Sequence, residues 1–162
     1  MTQPKENPRS IERRFAKALD SEIVESGSRD YRMVAARLRR LERSSLSGLP
    51  KKSFATLEVK RRIAEQIFYQ ALSHSCSWTV CQAKYRALYK VGFTNLERKA
   101  DFDLLYARDA LSRGKKTLAQ KTAATIVREM ESATKRGSNP LRKKLLDLNR
   151  ALLLRIEQQE PS

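Results

Sequence analysis

The stretch GSNPLRKKLLDLNRALLLRI, residues 137–156, is the most plainly punctuated segment of the chain. Gly137 ends the segment before it, Asn139 can cap, and Pro140 falls at a first helical position, where its missing N–H costs nothing. Leu141, Leu145, Leu148 and Leu152 then recur at four-three-four spacing, the period of one helical face. Leu146 and Leu153 widen that face, and the next seam position is Arg155. The segment therefore reads as a core helix of a bundle, with a dimer or partner helix as its rival.

The same three- and four-residue recurrence extends back through the chain. A first helix opens at Ser10 as its cap, carries Ile11, Phe15, Leu19 and Ile23, and stops near Gly27. A second runs from about Asp30 with Tyr31, Val34, Ala35, Leu38 and Leu41 to Gly48-Leu49-Pro50. A third has Ser53 at its cap and places Phe54, Leu57, Ala64, Ile67, Phe68, Ala71 and Leu72 on its apolar face. After the polar break His74–Ser77, a fourth carries Trp78, Cys81, Tyr85 and Leu88 to Gly92. The fifth starts around Thr94 and ends at Gly114, with Leu96, Ala100, Leu104 and Leu111. The sixth covers about Lys116 to Lys135, with Leu118, Ala123, Ile126, Met130 and Ala133. No segment alternates with a period of two. The expected fold is all-α, a single-domain bundle of six or seven helices over residues 10–156 with short loops, and with loose tails at 1–9 and 157–162.

Composition agrees. Of 162 residues, 40 % are hydrophobic and 32 % charged, with only five Gly and five Pro; that is too apolar for a disordered chain. Ala, Leu, Glu, Lys and Arg dominate over β-branched residues, which favours helix. No run approaches the ~20 apolar residues of a membrane span. Met1–Arg9 lacks the apolar segment of a signal peptide. Two cysteines make no disulfide scaffold, so a reducing cytoplasm is the expected compartment.

Charge carries the functional reading. Thirty-four Lys and Arg stand against eighteen Asp and Glu, a formal charge of +16. Such a surplus repels itself, which points to an anionic partner that offsets it. Between Ser28 and Arg62 there are eleven basic residues and three acidic ones, half the net charge. In the second helix Arg32, Arg39 and Arg43 share an outer face, flanked by Arg29, Arg37 and Arg40. Lys51 and Lys52 follow in the loop, and Lys60, Arg61 and Arg62 in the next helix. Such an array suits phosphates, because each neutralised phosphate releases condensed counterions. Arg outnumbers Lys twenty to fourteen, and its planar fork matches phosphate oxygens. An ordinary solvated face would mix signs through helix-spaced pairs, which this helix largely lacks.

A second candidate is Lys84-Tyr85-Arg86-Ala87-Leu88-Tyr89-Lys90. Tyr85 and Tyr89 are helical neighbours beside Lys84, Arg86 and Lys90, as in platforms that hold unstacked bases. Tyr at this spacing is more often half-buried packing with its hydroxyl at the rim. The junction 137–140 followed by Arg142, Lys143 and Lys144 weakly suggests helix-turn-helix, but the leucines that follow argue for burial.

Chemistry for catalysis is sparse. His74 is the single histidine, and no triad forms without it. His74, Cys76 and Cys81 supply three ligands where structural zinc takes four. No glycine-rich phosphate loop occurs. Asp101 and Asp103 face nearly opposite ways on a helix, while Glu97 and Asp101, set among Arg98 and Lys99, read as surface pairing. The expectation is therefore a non-enzymatic DNA- or RNA-binding protein that grips the phosphate backbone weakly specifically, without cofactor or metal. It would work alone, as a homo-oligomer, or as a subunit of a larger nucleoprotein complex assembled through the 140–156 helix. The alternative is an adaptor that docks an acidic protein or self-assembles through that helix.

Overall fold

The computed structural model describes residues 7–158. Among them lie seven α-helices and no strand: α1 (Pro8–Ser26), α2 (Tyr31–Leu46), α3 (Phe54–Ser73), α4 (Trp78–Val91), α5 (Leu96–Ser112), α6 (Lys116–Thr134) and α7 (Pro140–Gln158). The protein is all-α, as the periodicity requires. The tails expected at 1–9 and 157–162 fall mostly outside the described residues, yet Pro8, Arg9, Glu157 and Gln158 are helical.

Caps explain where the helices begin. Asn7, and not Ser10, caps α1: its side chain accepts from Arg9 N at 3.0 Å, with Pro8 at the first helical position. Asp30 Oδ1 accepts from Met33 N at 2.9 Å, Asn95 Oδ1 from Arg98 N at 2.9 Å and Asn139 Oδ1 from Arg142 N at 2.8 Å. Each carboxylate or amide oxygen satisfies a donor that the first helical turn leaves orphaned. Asp30→Ala should therefore cost about 1 kcal/mol, seen as a lower urea midpoint at unchanged slope. At the end of α4, Gly92 takes φ +93°, a conformation a side chain resists.

The helices gather into two compact units, divided between Gly92 and Phe93. In the first, α3 is the central element, with α1, α2 and α4 packed on it. Its core joins Ile11, Phe15 and Leu19 of α1, Val34 and Leu38 of α2, Leu49, and Ala55, Val59, Ile63 and Ile67 of α3. Cys81 and Leu88 bury the inner side of α4, where the Tyr85 ring stands 5.6 Å from Phe68. A Cβ on Gly48 would meet Ile11 Cδ1 at 3.0 Å, so a larger residue there requires the Ile11 side chain to shift.

In the second unit α5, α6 and α7 pack pairwise on one another. Ala100, Ala107 and Ala110 of α5 and Ala119 and Ala123 of α6 are fully buried, small side chains that let two helix backbones approach. Ile126, Val127 and Met130 then meet Leu145 and Leu146 of α7. Leu145, Leu146, Leu152 and Ile156 are all buried, so α7 is a core helix of its unit.

Candidate nucleic-acid interface

Helix α2 turns ~100° per residue. Placing buried Val34, Leu38 and Ser45 inward puts Arg32, Arg39, Arg40 and Arg43 across the opposite arc. Arg37 falls on the flank and turns toward α1. Its Nε donates to Glu22 Oε2 at 2.8 Å and its Nη2 to Glu22 Oε1 at 2.9 Å, a bidentate fork. Arg29 adds a contact to Glu22 Oε2 at 3.2 Å and pairs with Glu25. These bonds hold the Glu22 carboxyl below its ordinary value, the Arg37 hydrogen bond being the largest cause, and raise Arg37 in return.

The arginines therefore divide into two sets. Arg29 and Arg37 are joined to α1 carboxylates, and Arg39 Nη1 donates to Glu42 Oε1 at 3.2 Å on its own helix. Arg37, expected among the phosphate contacts, ties α2 to α1. Arg32, Arg40 and Arg43 are exposed and make no ion pair among the described residues. Arg43 also lies in the last turn of α2, where a cation complements the helix dipole.

The turn into α3 carries further cations. Lys51 and Lys52 are exposed, and Lys60 is exposed on the second turn of α3. The turn is firmly built: Ser53 N donates to Pro50 O at 3.3 Å, Thr56 Oγ1 to Pro50 O at 2.6 Å, and Ser53 Oγ to Thr56 Oγ1 at 3.0 Å. Phe54, assigned above to the apolar face, is 71 % exposed. It lies about half a turn from Ile63 around the α3 axis, so the inward arc passes it by.

Arg61 and Arg62 are half-buried. Arg61 reaches toward Gly92, its Nη2 3.8 Å from where a Cβ there would stand. Arg62 lines a cleft of about 490 Å³ with Arg9, Arg13, Glu12 and Glu58 over Phe15 and Val59. Three cations face two carboxylates there, a far more balanced lining than the outer arc of α2.

On α4, Arg86 and Lys90 are exposed and Lys84 is half-buried. Tyr85 packs between Phe68 and Tyr89, whose ring is 4.8 Å away. That is the packing role weighed for Tyr85; Tyr89 remains 42 % exposed at the edge of the cluster.

The other sequence candidates are also placed. His74 Nδ1 lies 2.9 Å from Gln70 O, and Nε2 lies 3.0 Å from Arg29 O and 3.3 Å from Ser26 O. The ring thus ties the α1–α2 loop to the end of α3. Cys81 is buried and its Sγ donates to Cys76 O at 3.6 Å. Among the described residues no three His, Cys, Asp or Glu side chains gather as a metal site would need. Asp103 is buried and Asp101 exposed, on opposite sides of α5 as spacing implied. Glu97 does not pair with its neighbours: it accepts from Arg142 Nε at 2.8 Å and from Asn139 Nδ2 at 3.2 Å, which joins the starts of α5 and α7. Lys99 goes to Glu129 at 2.8 Å. Among the described residues no helix is long and apolar enough to cross a membrane.

Comparison with models of protein families, with curated proteins and with solved structures finds no match to this chain.

Proposed function

We propose that this chain is a non-enzymatic nucleic-acid-binding protein whose contact surface is the outer arc of α2, the α2–α3 turn and the start of α3. The observation that carries the reading is the division of the arginines. Glu22, Glu25 and Glu42 engage Arg29, Arg37 and Arg39. Arg32, Arg40, Arg43, Lys51, Lys52 and Lys60 are left facing solvent. Six unbalanced cations on one helix, one turn and one helix start repel one another, a cost that a phosphate backbone relieves. Arg86 and Lys90 on α4 are a second, smaller patch. Base-edge readout is absent from this scheme, so binding is weakly sequence-specific.

His74 fits the non-enzymatic reading, because both ring nitrogens lie within 3.0 Å of main-chain carbonyl oxygens. Both cysteines are free thiols, which fits the cytoplasm as compartment. Self-assembly through α7 has less support. Leu141 and Leu154 are each 55 % exposed, but thirteen residues apart they point well away from each other and form no seam.

Filter binding to single- and double-stranded oligonucleotides over a salt series tests the reading. If all six cations engage, log Kobs should fall against log salt with a slope of about −4 on single strands. No binding near physiological salt, or a slope near zero, refutes it.

A further inference from the structure

The exposed ring of Phe54 is unaccounted for by packing. A phenylalanine in water forgoes the burial that justifies its presence in a helical chain, and here two lysines precede it. The turn that presents it is not loose. Pro50 O accepts from both Ser53 N and Thr56 Oγ1, and Thr56 is itself buried, so the backbone from Pro50 to Thr56 is held. Phe54 is thus displayed by a rigid scaffold with exposed Lys51 and Lys52 beside it in sequence, at the positive end of the α3 dipole. Arg61 stands two turns further along the same side of α3.

We infer that Phe54 is a stacking platform for an unpaired base and that the ligand is therefore single-stranded nucleic acid. This rests on the nucleic-acid reading above and names its substrate class. The physical warrant is the combination. A flat π-face accepts any base that is unstacked, and cations set to either side take the neighbouring phosphates. A duplex keeps its bases stacked inside and offers the ring nothing, whereas the lysines and arginines serve either form. A partner protein would use the ring only as apolar area, which separates the two in experiment. The lysines on the same turn favour the polyanion.

The test is fluorescence anisotropy with a labelled oligodeoxythymidylate of about twenty nucleotides, longer than the roughly 4–16 nucleotides such surfaces occupy. A duplex of equal length serves as comparison. The intact chain is expected to prefer the single strand. Phe54→Ala should weaken single-strand binding about tenfold and duplex binding less than about twofold. Phe54→Leu should behave like Phe54→Ala, and Phe54→Trp should restore or exceed the original affinity. Because Phe54 is exposed, all three variants should keep the original circular dichroism spectrum. Retained affinity in Phe54→Leu overturns the proposal, since apolar area alone would then suffice. Equal binding of both ligands, unaffected by Phe54→Ala, overturns it while leaving the backbone grip standing. Binding to neither ligand removes the nucleic-acid reading and this inference with it.

Discussion

Replacing Arg40 and Arg43 together by glutamate is expected to weaken oligonucleotide binding about a hundredfold at low salt. Each change removes a cation from the proposed phosphate track and puts a repelling charge in its place, so the pair removes well over two contacts' worth of attraction. The salt slope should flatten by about one and a half to two, because two counterion-releasing contacts are gone. Helix content should hold, since both side chains face solvent and neither makes an ion pair among the described residues. Glutamate at position 43 does sit badly at the negative end of α2, at a cost of a few tenths of a kcal/mol. Arg43→Gln avoids that cost and should still lose several-fold in affinity. Arg39 is a poorer choice for this experiment: its partner is Glu42, three residues on, so reversal would set two carboxylates side by side. Unchanged affinity in the Arg40/Arg43 variant would show that the outer arc of α2 is not the binding face, whatever the net charge of the chain.

The helices were legible because burial repeats locally. A residue every third or fourth position must face the core, and the periods from Ile11 to Leu152 mark seven such faces without any knowledge of partners. The caps at Asn139 and Ser53 are equally local, each fixed by a side chain reaching its own backbone. What was not legible is what depends on distant residues. Arg37 and Glu22 are fifteen positions apart and meet only because α1 and α2 lie side by side, so a helical wheel could show Arg37 on a flank but not its partner. Phe54 satisfied the local spacing of an apolar face, yet it lies about half a turn around α3 from buried Ile63, while Ala55 and Thr56 beside it are covered. The grouping into two units was hidden for the same reason: amphipathicity says which face is apolar, not which helix covers it.

Glu22→Gln should separate the arginines clamped to α1 from those of the proposed contact surface by moving two measurements in opposite directions. The Glu22 side chain is 19 % exposed and holds both oxygens against Arg37, with Arg29 at 3.2 Å from Oε2. Glutamine keeps the size but loses the charge, leaving a partly desolvated guanidinium with a weaker partner. Stability at neutral pH should fall, by less than the loss of a fully buried pair would cost, because water still reaches Arg37. The carboxyl is held below its ordinary 4.5, so its contribution is present above that pH in the folded protein and is lost as pH falls through the depressed folded value. Thermal unfolding of the original chain should therefore lose stability as pH falls below about 4.5, and the Glu22→Gln variant should show a shallower fall there. Binding should change the other way. One carboxylate is gone and Arg37 is released beside Arg40, which lines the same small cleft, so oligonucleotide affinity should rise a few-fold at low salt. A loss of stability together with a loss of affinity would mean that the α1–α2 clamp positions the binding arc. No change in either would mean that the Glu22–Arg37 fork contributes nothing net, as exposed ion pairs often do.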